Sequence, residues 1–386
     1  LGLAVAATRA EAPGRVGRLA EVDGTVWIVD PEQGGWTAAV RNRPITGGDR
    51  VATDAGARAV VQIGSATLRL AGRSEVEWLQ LDDDQVRIRM HGGSAALRLR
   101  SADVAREFEF VTAQGRWQPL AAGHYRVDVR ASSTVVHVLA GEGRFDAHDS
   151  RKTVRAGERL EFWQRGAVTH YDAVVATADD FDRWLRDAAR SEAAIAATRH
   201  VSPETTGWDD LDRYGRWDRH PEFGVIWLPL HVAPGWAPYR YGRWVWLRPW
   251  GWTWVDDAPW GFAPFHYGRW VWWSGRWAWV PGPYTPRPVF APALVGWLGA
   301  SGSGWSVSIG VGPLVAWVPL GPYDVYRPWY TLPPRHVAIV NPPPPRPPSR
   351  RPDPHQYGLV GVPGAVTVVP GHVLTTRRPV GDYAVR

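Results

Sequence analysis

The sequence predicts a mainly β protein: a first half of short strands, one linker helix, then a repeat of tryptophan-rich antiparallel β-hairpins and a proline-rich tail. Three observations carry this. Turn formers are abundant, with 41 Gly and 34 Pro in 386 residues. Short β-branched and aromatic runs recur about every 8–12 residues through the first half. Tyr-Gly-Arg-Trp stands complete at 214–217, 241–244 and 267–270, within a stretch that holds 19 of the 25 tryptophans.

Length leaves room for two ordinary domains and a tail, and 45% hydrophobic with 21% charged residues is the composition of a folded chain. The net charge of +6 is almost all arginine, Lys152 being the only lysine. These arginines are interleaved with Asp and Glu rather than gathered in runs, which argues against a nucleic-acid partner and suits attraction to acidic envelope polymers. Cysteine is absent, so disulfides, thiolate metal sites and Cys nucleophiles are excluded. The opening apolar stretch runs into Ala10-Glu11-Ala12, a small-x-small cleavage pattern. Residues 1–12 are therefore expected to be the remnant of a signal peptide, and the chain to be exported and periplasmic or envelope-associated. No other run is long and apolar enough for a membrane span.

Residues 15–176 read as strands. Gly24-Thr-Val-Trp-Ile-Val29 ends at Asp30-Pro31; Gly64-Ser65 has the length of a two-residue hairpin turn; Asp82-Asp83-Asp84 turns the chain into Val86-Arg-Ile-Arg-Met90, with Arg facing outward. Such spacing implies a sandwich, roll or barrel. The order of Gly24-Thr-Val, Pro44-Ile-Thr-Gly-Gly-Asp-Arg-Val and Thr67-Leu-Arg-Leu, closed by His137-Val-Leu-Ala-Gly-Glu-Gly and Arg155-Ala-Gly-Glu-Arg-Leu, resembles the FecR-type domain of bacterial envelope proteins over about residues 15–170. The resemblance implies a β domain that receives or relays a signal. This chain shows neither the cytoplasmic helical domain nor the internal span of the membrane-spanning regulators that carry such a domain.

A helix is expected over 177–201. Thr177 or Asp179 can cap it, and Phe181, Trp184, Leu185 and Ala188 form one apolar face. Asp182, Arg183, Arg186, Asp187 and Arg190 are expected to face solvent.

Residues 207–341 form the repeat domain, with periods of 27 and 26 residues. If Ser274-Gly275 is a two-residue turn, Trp273 faces Arg276, Trp272 faces Trp277 and Trp270 faces Trp279, and the four paired tryptophans share a face. The same counting pairs Trp246 with Trp252, Trp244 with Trp254, Trp217 with Trp227 and Trp305 with Trp317. Because a lone hairpin is marginal in water, the four hairpins are expected to share one sheet or barrel with the tryptophans as its core. Trp250, Trp260 and Trp273 are left over by the pairing, in turns or off the paired face. They are the candidate ligand platforms, with Arg243, Arg269 and Arg276 as candidate binding partners beside them. Arg216 and these three arginines either cover indole rings or reach carboxylates, cover being the favoured role. The repeat, with Trp254-Val-Asp-Asp-Ala-Pro-Trp-Gly-Phe-Ala-Pro-Phe-His, resembles an uncharacterised bacterial family that joins a FecR-like domain to a Trp-rich domain of unknown function. Val315-Ala-Trp-Val-Pro-Leu and Val340-Asn341 resemble that family's closing segment.

Residues 342–386 read as a tail: a proline tract acting as spacer or peptide ligand, then apolar runs such as 365–369 that either add a strand or stay disordered. No metal-ligand spacing, phosphate loop or nucleophile elbow occurs, and no cofactor is implied. Asp256-Asp257 beside Trp254 and Trp260 is the one carboxylate pair suggestive of glycan cleavage, although adjacent strand residues point to opposite faces. The expected function is thus non-catalytic, sensing or scaffolding through the FecR-like domain and binding an envelope protein or a glycan such as peptidoglycan through the Trp-rich domain. The alternatives are a glycan-acting enzyme using Asp256 or Asp257 and a purely structural assembly module.

Overall fold

The computed structural model describes residues 11–29, 34–175, 178–192, 199–298, 314–344 and 357–384. The chain divides into two compact units, Arg15–Ala196 and a second made of Leu1–Gly14 with Ala197–Arg386. Both are mainly β and almost entirely antiparallel.

In the unit Arg15–Ala196 two sheets enclose one core, and the strand Val86–Leu99 belongs to both. Its residues 86–92 pair with Glu75–Leu81 and, in the unit's one parallel pairing, with Phe108–Val111; residues 93–99 pair with Ala66–Leu70 and Gly123–Val129. The change of sheet falls at Gly92 and Gly93. Gly93 has φ 84°, and a Cβ there would stand 2.4 Å from the Ser74 Cα, so only glycine fits the crossing. The core draws on both layers, Val61, Leu68 and Leu97 from one meeting Val51, Val76 and Ile88 from the other. Gly64-Ser65 is the expected two-residue turn, with Ile63 opposite Ala66.

The helix spans Asp180–Glu192, within the expected 177–201, of which residues 177 and 193–198 lie outside the described ones. Asp179 is its N-cap. Its Oδ1 accepts the Asp182 N–H at 2.9 Å, and Asp182 Oδ2 accepts the Asp179 N–H at 3.1 Å, a reciprocal box. Phe181 and Leu185 bury against Ala96 of the sheet, with Ala71 and Trp184 packed beside them. One member of the expected solvent face is misplaced: Asp182 is 8% exposed. The reason is Arg126, a buried strand residue whose guanidinium donates to Asp128 at 2.8 Å, to Asp182 at 2.8 Å and to both oxygens of Asp179 at 2.9 and 2.7 Å. The helix is held to the sheet by a cation sunk into it as well as by its apolar face.

In the second unit the hairpin registers are those counted from the repeat. Gly215–His220 pairs with Gly224–Pro229, setting Trp217 opposite Trp227. Gly242–Leu247 pairs with Gly251–Asp256, setting Trp244 opposite Trp254 and Trp246 opposite Trp252. Arg269–Trp273 pairs with Arg276–Val280 across Ser274-Gly275, whose φ values of 49° and 77° are those of a primed turn.

Two expectations need correction. The hairpins do not share one sheet. The first and third join through the Trp227–Trp279 bridge into four strands, the second stands as a two-stranded sheet, and a three-stranded sheet follows. The fourth tryptophan pair is Trp297–Trp317, between Val295–Leu298 and Leu314–Pro319; Trp305 lies outside the described residues. Of the two alternatives for the apolar run 365–369, an added strand is the one seen: Thr367–Pro370 is the third strand of that last sheet. Of the expected signal-peptide remnant, residues 1–10 lie outside the described residues. Ala12 is buried in this unit, its N–H donating to the Thr331 carbonyl at 3.0 Å.

The glycine of Tyr-Gly-Arg-Trp explains the motif. A Cβ on Gly215 would stand 2.1 Å from the Trp227 ring, on Gly242 2.7 Å from the Trp254 ring, and on Gly268 2.6 Å from Trp279 Nε1. In each copy the indole of the partner strand lies across the glycine two residues before the motif tryptophan. The crossing lets Trp279 Nε1 reach the Tyr267 carbonyl at 2.7 Å and Trp227 Nε1 the Leu211 carbonyl at 2.8 Å.

Gly215→Ala and Gly242→Ala should each cost about 1–3 kcal/mol by overpacking, while Gly361→Ala, with open space around it, should be near neutral; thermal unfolding checks both. Acid should loosen the helix Asp180–Glu192. Arg126 holds the Asp179 carboxyl well below the usual aspartate range, so its contribution is present at neutral pH. That contribution fades as pH falls below 3.8, the ordinary value, towards the folded one. Hydrogen exchange of the helix amides should show this, and Asp179→Asn should flatten the pH dependence.

Candidate functional site

The rings of the second unit form a network across its sheets. Trp244 meets Trp254 at 5.3 Å, Trp297 at 4.9 Å and Trp317 at 5.3 Å between centroids. Trp260 meets Trp227 at 5.0 Å and Phe265 at 5.8 Å, and Tyr239 joins Trp254 to Phe265. The indole of Trp317 donates to the Tyr239 carbonyl and the Tyr239 hydroxyl to the Phe265 carbonyl. Apart from the stacked Trp260–Phe265 and the tilted Trp244–Trp297 pairs, these contacts are edge-to-face and place the positive edge of one ring on the negative face of the next.

This network absorbs two of the three candidate platforms. Trp250 is 1% exposed and packed edge-on against Phe290; Trp260 is 3% exposed inside the network. Neither presents a ring face to a ligand. Trp273 is half-buried, over the aliphatic face of Ile226, Leu228 and Val271, with His220 at 4.2 Å. The exposed indoles among the described residues of this unit are instead the outer members of two pairs, Trp246 and Trp272, 39% and 41% exposed. They sit at the turn ends of their hairpins, where alternation puts them on the core face and each meets its cross-strand partner, Trp252 or Trp277.

The arginines divide. Arg243 reaches Asp257 at 3.6 Å, Arg216 reaches Asp218 at 3.4 Å, and Arg276 is exposed opposite Trp273. Covering indole rings is not their role among the described residues. The guanidinium-over-indole contacts there, Arg58 and Arg69 on Trp184 and Arg50 on Trp36, belong to the other unit. Arg269 is different: it is 7% exposed. It lies on the edge strand of the four-stranded sheet, opposite Val280, on the aliphatic face. Its Nη1 donates to the Gly268 carbonyl at 2.9 Å, and its Nη2 to the Val340 carbonyl at 2.8 Å and Asn341 Oδ1 at 3.0 Å. Asn341 is fixed in turn by both backbone groups of Tyr326. All these acceptors are neutral. Burial pulls the Arg269 guanidinium down to about 10, so it remains a cation at neutral pH.

Arg269 lines a cavity of about 380 Å³, near the lower end of the roughly 300–1,000 Å³ of small-ligand sites. Its walls include Pro281, Pro283 and Pro322, and Pro342, Pro343 and Pro344 from the start of the tail. Proline has no N–H, so these walls offer no backbone donors. Among the described lining residues Arg269 is the only Arg or Lys, and there is no Asp or Glu. Of the candidate residues named from sequence, the cavity gathers Arg269 alone. Its remaining parts carried no sequence signal: the 342–344 tract reads as a spacer, and its return to Arg269 some 70 residues earlier is a tertiary event. Among the described residues no three His, Asp or Glu side chains cluster in a metal-holding arrangement, and no helix is long and apolar enough to cross a membrane.

Asp256 and Asp257 separate as strand alternation requires. Asp256, 2% exposed, accepts the Trp254 indole N–H and the Ala258 N–H, both at 2.9 Å. Burial pushes its carboxyl well above the usual range.

Residues 208–324, which contain all three Tyr-Gly-Arg-Trp copies, match the model of a family described as "Family of unknown function (DUF6600)". No curated protein matches the chain. Among solved structures, two crystal structures of a candidate anti-sigma factor from Parabacteroides distasonis are similar to part of it, at 15% identity and a TM-score of 0.30. The similarity covers 35% of this chain and 64% and 63% of those, so the chain spans just under two thirds of their length.

Asp256→Ala should destabilise the protein by about 2 kcal/mol or more, since the buried Trp254 indole N–H and the part-buried Ala258 N–H lose their acceptor. Asp257→Ala should stay within about 0.5 kcal/mol. Urea unfolding of the two variants checks the contrast.

Proposed function

We propose that the chain is a non-catalytic, exported envelope protein that senses or scaffolds, and that its second unit is a rigid holder for the cavity at Arg269, where an envelope component binds. The observation that carries this is the cavity itself: mainly apolar, walled in part by proline, with one buried arginine and no acid among its described lining residues. The leader-like residues 1–12 and the FecR-type resemblance of residues 15–170 support export and an envelope role. The carboxylate that an enzyme would call on, Asp256, has its oxygens committed to Trp254 and Ala258, which supports binding over glycan cleavage. The buried tryptophans act in this reading as the frame of the site rather than as its ligand surface.

The test is thermal unfolding of the protein with solubilised peptidoglycan fragments, beside retention on intact peptidoglycan. Binding to the native state at 100 times Kd contributes about 2.7 kcal/mol, which raises Tm by a few degrees. No shift together with no retention would remove peptidoglycan as the component and leave the reading without its first candidate.

A further inference from the structure

We propose that the cavity at Arg269 is a carboxylate site, taking a compact monoanion whose charged end meets the guanidinium and whose apolar body fills the proline-walled space. This deepens the function proposed above and rests on it.

The first ground is an unbalanced charge. A cation taken out of water is costly unless an anion accompanies it. Arg269 is buried, and its acceptors are two backbone carbonyls and one amide oxygen. The acid whose field reaches it, Asp324, has its oxygens on the N–H groups of Gly321 and Gly358 at 2.7 and 3.0 Å. Of the five guanidinium N–H groups, these three bonds leave two for a ligand.

The second ground is selectivity. One cation, the only Lys or Arg among the described lining residues, beside the carbonyls of Gly268 and Val340, favours a single negative charge over a phosphate dianion. Val340 is the last residue of the helix Pro334–Val340, whose carbonyl end repels further negative charge. Proline, Val280, Val289 and Leu294 supply apolar area for the body of such a ligand, beside the hydroxyls of Ser202, Thr205 and Thr285.

Two sources share this chemistry, a small organic acid and the free C-terminal carboxylate of a short peptide. The test is calorimetric titration of the full chain with benzoate and with N-acetyl-alanyl-alanine, each beside its uncharged amide. The proposal expects at least one acid to bind, at least about tenfold more tightly than its amide, and Arg269→Gln to abolish that preference. Binding of benzoate alone assigns an organic acid, and binding of the dipeptide alone or more tightly assigns a peptide end. Arg269 also ties down Val340 and Asn341, so Arg269→Gln carries a risk to folding. The acid-to-amide comparison on the unaltered protein decides without it. Equal binding of acids and amides would overturn the carboxylate assignment while leaving a binding cavity in place. Absence of binding by every probe would overturn the assignment, and the peptidoglycan measurements would then judge the function separately.

Discussion

The second unit depends on one contact, an indole laid across a glycine. A tryptophan on the returning strand of each hairpin needs room for its ring, and the strand before it gives that room by having no Cβ at Gly215, Gly242 or Gly268. The crossing buries the ring and, in the first and third hairpins, delivers its N–H to a backbone carbonyl. A Trp side chain buries roughly 150–250 Å², worth about 4–6 kcal/mol at 25 cal/mol/Å². Little of that would be realised if the ring were lifted off the strand. Gly-x-Trp on one strand and Trp on the other therefore form a single packing device, and the repeat is a repeat of that device.

Small sheets become sufficient once the rings connect them. A two-stranded sheet is marginal by itself, yet Gly242–Leu247 with Gly251–Asp256 persists because Trp244 and Trp254 run into Trp317 and Tyr239. The four-stranded sheet is covered on both faces, by tryptophans on one and by Ile226, Leu228, Val271, Ala278 and Val280 on the other. That second coverage is why Arg269, on the aliphatic face, ends up out of water.

What the sequence disclosed follows from what is local. Turn length and two-residue alternation determine which tryptophans oppose one another, so the pairs of the first three hairpins were legible by counting. The joining of sheets was not, because the first and third hairpins meet through a single pair, Trp227 and Trp279, that no spacing encodes. The fourth pair was misassigned for a related reason: Trp305 lies nearer to Trp317 in sequence than Trp297 does, and Trp297 has no Tyr-Gly-Arg before it. Exposure misled in the same way. Trp250 and Trp260 sit in loops, where a ring is expected to be accessible, but the loops fold inward onto Phe290 and Phe265. Arg269 was legible as a residue type beside tryptophan and illegible as a site, since Val340, Asn341 and the prolines that surround it arrive from the tail.

The two buried arginines differ in what meets them, and the proposed binding site rests on that difference. Arg126 is also sunk into a sheet, but three aspartates meet it, and the resulting cluster fastens a helix. There the cost of burying a cation is offset within the fold, and nothing further is needed. Arg269 is equally removed from water and receives only carbonyl and amide oxygens. The fold has thus spent effort positioning it, through Asn341 and the end of the helix Pro334–Val340, without neutralising it. A cation placed in this way, with no carboxylate among the described residues bonded to it, is what the proposed carboxylate site builds on.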